Sequence, residues 1–171
     1  MKQKYHLSFN SPKGFTLIEL LLVITIIGIM ASFFLVDWTS GRVLEQLSAE
    51  AREIEAVLRQ GQNYALTGSQ GVSGTDPCRY QFSWSGTTYT LTYWYKNAMG
   101  NCAQSTVLSS YTLSDGVAFA NSNNFYFTLP HGALSFGGAS QAIVLSKISS
   151  THTACVYASG LIATYPGSTC P

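Results

Sequence analysis

Residues 15–36 form an apolar run, FTLIELLLVITIIGIMASFFLV, interrupted by a single charge at Glu19. About 20 apolar residues cross a bilayer as a helix, so the run predicts a membrane-spanning helix. The pattern then turns amphipathic. Leu44, Leu47, Ala51, Ile54, Leu58, Gly61 and Ala65 recur at three- and four-residue spacing and form one stripe. Arg42, Glu45, Glu50, Arg52, Glu53, Glu55 and Arg59 fall mostly off it and read as a solvated face. Glu55 and Arg59, four apart, are a helix-supporting pair. Gly68-Ser69-Gln70-Gly71 ends the helix. The prediction is near-continuous helix over 15–67, roughly 80 Å at 1.5 Å per residue. Its second half, 37–67, is expected to lie across a globular head.

From Gly71 onward the chain turns to Ser, Thr, Gly, Asn and Tyr, with short β-branched and aromatic runs between turn residues. The runs predict strands over 79–84, 87–95, 107–113, 125–129, 142–147, 154–157 and 161–164. Ser85-Gly86 marks a tight hairpin, and Asp115-Gly116, Pro130-His131-Gly132 and Ser159-Gly160 mark other turns. A head of this kind over 68–171 suits an antiparallel sheet packed on the amphipathic helix half, an α+β fold.

The flanks of the apolar run set its orientation. Residues 1–14 carry Lys2, Lys4 and Lys13 and no acid, and the next basic residue after the run is Arg42. That asymmetry predicts a cytoplasmic N-terminus. A secretory signal peptide would have a shorter apolar core followed by a small-residue cleavage site, and DWTSGRVLEQL offers none. Glu19 is the anomaly. A carboxylate five residues into a lipid-facing helix costs a few kcal/mol. Either it lies near the interface and reaches the headgroups, or it awaits a cationic partner.

Lys13-Gly14-Phe15-Thr16-Leu17-Ile18-Glu19, opening a long apolar helix, resembles the cleavage and assembly signal of type IV pilins and type II secretion pseudopilins. The resemblance implies a pilin-like fold, a leader 1–14 removed by a prepilin peptidase after Gly14, and N-methylation of Phe15. It further implies that Glu19 pairs with the Phe15 amine of a neighbouring subunit in a filament. The match covers residues 8 to about 66 well and the rest in general character. Many relatives carry a helix-kinking proline near the end of the apolar run, where this chain has Val36-Asp37-Trp38. Ala154 to Tyr165, ACVYASGLIATY, resembles the C-terminal strand-turn-strand of the H-type pseudopilin and T-type minor pilin group.

Cys78, Cys102, Cys155 and Cys170 all lie in the head, on the exported side, and an even count there reads as disulfides. Of three connectivities, Cys78–Cys102 and Cys155–Cys170 are favoured because each closes one local loop. The second loop resembles the disulfide-closed C-terminal loop that many pilins expose. No C-x₂-C pair or His companion stands at zinc-ligand spacing. The histidines are His6, His131 and His152, and the carboxylates after Glu55 are Asp76 and Asp115. No nucleophile motif or phosphate loop accompanies them, so neither enzyme activity nor a metal or other cofactor is expected.

Charge bears on partners. Only 10% of the chain is charged, nine Lys or Arg against eight Asp or Glu, where soluble domains carry roughly 25%. The head holds only Arg79, Lys96 and Lys147 as basic residues. In DNA-binding members of the minor group, arginines follow the turn glycine; here Leu161 and Ile162 do. The sequence therefore argues against direct nucleic-acid binding. The expected protein is a precursor in the inner membrane that is processed and assembled with other pilins, homo- or hetero-oligomerically, into an extracellular pilus. The alternative is a minor H-type pseudopilin in a periplasmic pseudopilus that supports protein export.

Overall fold

Thr16 starts the helix. Its Oγ1 accepts a hydrogen bond from the Glu19 backbone N–H at 3.3 Å, and its carbonyl accepts from Glu19 and Leu20. That N-cap geometry puts the first helical residue at Leu17, two later than the apolar pattern predicts. The computed structural model describes residues 14–68, 74–114 and 116–171, and the side chains of all of these except 33–40. Several expectations lie outside the described residues: the leader 1–13 with Lys2, Lys4, His6 and Lys13, Ser69-Gln70-Gly71 of the helix stop, and Asp115.

The helix α1 runs Leu17–Thr67, and the chain divides into two compact units, Met1–Ser40 and Gly41–Pro171. In the first, the large apolar side chains described between Phe15 and Met30 are 41% to 84% exposed, so its described residues form no core. Among the described residues no helix is long and apolar enough to cross a membrane. The apolar stretch with described side chains, 17–32, is roughly 24 Å of helix against a hydrocarbon core of about 30 Å. The side chains at 33–36, which would complete the expected span, lie outside the described set.

The second unit holds the core. Leu47, Ala51, Ile54, Leu58, Gly61 and Ala65 are buried as the stripe requires, and Val57 joins them. Leu44, at the start of the stripe, is 49% exposed. The helix ends at Gly68, whose φ of 64° lets its N–H reach the Tyr64 carbonyl.

The head has two antiparallel sheets rather than one. In the five-stranded sheet the order is β3 (Cys102–Thr112), β2 (Thr88–Lys96), β1 (Pro77–Ser85), β5 (Asn123–Thr128), β6 (Ala133–Leu134). The four-stranded sheet runs β4 (Ala118–Phe119), β7 (Ser140–Lys147), β8 (Ser150–Tyr157), β9 (Ile162–Pro166). Alternation sets the faces. Tyr80, Phe82, Trp84, Tyr89, Leu91, Tyr93, Phe125 and Phe127 point into the core, with Ile143, Leu145, Ala154, Val156 and Ile162 from the smaller sheet. The rings meet tilted or edge-on, as Phe82–Phe125 at 5.9 Å and Phe125–Phe127 at 5.3 Å show. Two strands begin four or five residues before their predicted spans. β3 begins five residues early, because backbone pairing with β2 carries it out to Cys102, opposite Lys96. β8 begins at Ser150, opposite Lys147, because the hairpin with β7 organises Ser-Thr-His-Thr, which has little apolar pattern.

Two hairpins share a two-residue loop whose first residue has positive φ, and they differ in which residue stands there. β1 and β2 are joined by Gly86-Thr87 with Gly86 at φ 59°, and β7 and β8 by Ile148-Ser149 with Ile148 at φ 58°. Glycine takes that conformation freely, whereas a β-branched side chain is strained there by roughly 1–2 kcal/mol. Ile148 is also 88% exposed, so packing returns little. Ile148→Gly is expected to stabilise the head by about 1 kcal/mol, after glycine's larger unfolded-state entropy is counted. Denaturant unfolding checks this, and equal or lower stability would contradict the strain assignment.

Candidate functional site

The processing and assembly residues expected from the sequence sit together at the start of α1. Gly14 and Phe15 precede the helix in non-helical backbone, and a side chain at Gly14 would meet nothing within 4 Å. Phe15 is 79% exposed. A scissile bond must be drawn extended through a protease, so an open, uncovered Gly14-Phe15 junction is compatible with cleavage. Thr16 is the residue that the sequence reading passed over. Thr16-Leu17-Ile18-Glu19 has the S/T-x-x-E spacing of a capping box, with the Thr16 half formed by the Glu19 N–H contact. Glu19 thus stands in the first turn, where the free N–H groups and the helix dipole favour a negative charge.

The cysteines bond as Cys78–Cys102 and Cys155–Cys170, with sequence separations of 24 and 15 and no free thiol. The first ties the start of β1 to the start of β3 across β2. The second ties β8 to the C-terminal tail, where the Tyr157 hydroxyl donates to the Pro171 carbonyl at 3.3 Å. Each closes a local loop and removes chain entropy from the unfolded state.

Several charged side chains serve the fold. Glu55 and Arg59 pair at 2.6 Å on the helix, and Arg59 Nη2 also donates to the Ile162 carbonyl at 3.3 Å. Glu50 is not simply solvated: its Oε1 accepts from the Ser114 backbone N–H at 3.1 Å. Lys96 pairs with Asp76 at 2.7 Å. Among the described residues no group of His, Cys, Asp and Glu is arranged to hold a metal ion. His131 is exposed in its turn, whereas His152 is half-buried in β8.

Burial, with the Arg52 guanidinium as second cause, holds the His152 imidazole below its usual 6.5. The unfolded chain then takes up this proton before the folded one does. The neutral ring's contribution is therefore complete above about pH 6.5 and is lost as pH falls through that value toward the folded pKa. The thermal midpoint of the head should drop between pH 7.5 and 5.5, and His152→Gln should flatten that dependence. An unchanged slope in the variant would assign the drop to other groups.

The described geometry offers an exposed apolar helix with a capped, acid-bearing start, joined in sequence to a disulfide-closed head. Comparison with known proteins bears on that helix. The family model of the prokaryotic N-terminal methylation motif matches residues 10–35. Two fimbrial proteins of Pseudomonas aeruginosa are each 33% identical over 82 residues, 48% of this chain and 53% of the relative. The chain spans about half the length of the curated relatives it matches. No solved structure matches it significantly.

Proposed function

We propose that this chain is a structural subunit of the type IV pilin family, cleaved after Gly14, N-methylated on Phe15 and assembled into a type IV pilus. The observation that carries this reading is the methylation motif over 10–35, where the large apolar side chains described between Phe15 and Met30 have no cover among the described residues. Surface of that extent must be covered by lipid, by other helices, or by each in turn. A membrane-held precursor that passes into a filament supplies both covers in order. In this scheme the precursor is a single-pass protein of the inner membrane with its N-terminus in the cytoplasm. Its helix joins the filament core, its head forms the outer surface, and its partners are prepilin peptidase and other pilins. The role is structural, and no catalytic step is assigned to the chain.

Two measurements test the scheme. Cell fractionation with labelled imaging should find the chain in extracellular fibres; a periplasmic, export-linked location would favour the pseudopilin alternative. Gly14→Ala adds a methyl group into open space, so it leaves folding alone and acts on peptidase recognition. The expected product is a precursor heavier than the mature chain by the 14-residue leader, read by intact mass. Normal processing of the variant would remove Gly14 from the cleavage site.

A further inference from the structure

The outer face of the five-stranded sheet carries an arginine that the fold leaves without a counter-charge. Arg79 lies on β1 next to core-facing Tyr80, opposite Trp94 on β2 and Thr128 on β5. Its guanidinium carbon is 4.6 Å from the Trp94 ring centroid and 4.1 Å from that of Tyr126. Two aromatic rings thus hold the cation, and Trp94 is itself fixed by its Nε1–H donating to Gln81 Oε1 at 2.8 Å. Arg79 Nε is buried and has no partner. The two terminal nitrogens are not among the buried atoms, and among the described residues Arg79 makes no hydrogen bond or ion pair. The other basic side chains of the sheeted head are engaged, Lys96 with Asp76 and Lys147 with Gln46.

We propose that this face binds a carboxylated sugar chain, with Arg79 receiving the carboxylate. A guanidinium stripped of water on its faces and free at its outer edge presents parallel N–H donors that match the two oxygens of one planar carboxylate. The aromatic rings fix the plane in advance, which lowers the ordering cost of binding. Around it stand Gln81, Thr92, Asn124, Tyr126 and Thr128, neutral amides and hydroxyls, Asn124 exposed and the other four part-buried. That setting suits a polyhydroxylated ligand bearing isolated negative charges. It does not suit a nucleic acid, whose affinity scales with the number of phosphates neutralised and would find one free cation here. The inference goes beyond assembly and does not depend on it.

The test uses the full chain in non-ionic detergent, titrated with oligogalacturonate, alginate and hyaluronan fragments, with the methyl ester of the oligogalacturonate, and with single-stranded DNA. Calorimetry gives the affinity, and the Trp94 indole N–H resonance reports the location. At least one carboxylated chain should bind and shift that resonance, and esterification should weaken oligogalacturonate binding where that chain is a ligand. Arg79→Gln should weaken it by about tenfold or more, the loss of one charge-assisted bidentate contact. Arg79→Lys should restore little, because an ammonium cannot present the fork. An unchanged thermal midpoint shows that the variants are folded, and the wild-type resonance shift stands independently of them. No binding of any carboxylated chain at about 10 mM, equal binding of the ester, full affinity in Arg79→Gln, or preference for DNA would each overturn the proposal.

Discussion

Gly61→Val is expected to destabilise the head by about 3 kcal/mol, at the upper end of what overpacking costs. Gly61 lies on the buried stripe of α1, against the five-stranded sheet. A Cβ there would stand 3.0 Å from Leu91 Cδ1 and 3.3 Å from Phe127 Cε2. Both neighbours are fully buried, on β2 and β5, so neither side chain has room to withdraw. Valine adds two further methyl carbons beyond that Cβ, so helix and sheet must part or rotamers must be forced. Alanine is the informative control. It gains about 1 kcal/mol of helix propensity over glycine and asks its neighbours to yield only a few tenths of an ångström. Gly61→Ala should therefore fall within about 1 kcal/mol of the parent. Denaturant unfolding of the three chains separates these outcomes; a valine variant as stable as the parent would mean that the contact is looser than drawn.

The same residue shows how far the sequence could be read. Gly61 was legible as a stripe position, because a helix repeats every 3.6 residues whatever it packs on. Which strand atoms press on it was not, because Leu91 and Phe127 come from runs that local pattern leaves unordered in space. The alternating apolar runs marked five of the long strands near their true places. The first half of β3 and the start of β8 escaped, since Cys102 to Thr106 and Ser150 to Thr153 carry no apolar alternation and are strands only through their neighbours. The separation into two sheets escaped for the same reason: β4 pairs with β7, across more than twenty residues of chain. Arg79 was visible as one of three head cations, but its two aromatic neighbours belong to other strands. Leu44 illustrates the converse error. Periodicity placed it on the stripe, and only the folded head shows that about half of it stays in solvent.

For the candidate assembly site the sequence carried more, because its chemistry is local. Glu19 was conspicuous as the one charge in an apolar run; what the structure adds is a second, competing reason for it to be there. As the third residue of a capped helix, Glu19 favours the helix start, and a glutamine would serve that role nearly as well, since capping boxes accept either. As the partner of a neighbouring subunit's Phe15 amine, only the charge serves. The two roles predict opposite behaviour for one substitution. Under the proposed assembly role, Glu19→Gln should leave membrane insertion and peptidase cleavage intact and yet reduce incorporation into fibres at least tenfold, as severely as Glu19→Ala. The magnitude follows from leaving the partner amine uncompensated in an apolar filament core, where breaking a buried pair costs about 3–5 kcal/mol. Under the capping role, Glu19→Gln should assemble like the parent while Glu19→Ala shows a modest loss of helix at residues 16–20. Quantifying the variant in sheared fibres against the membrane pool decides between them. Parent-level incorporation of Glu19→Gln would reduce Glu19 to a helix-starting residue.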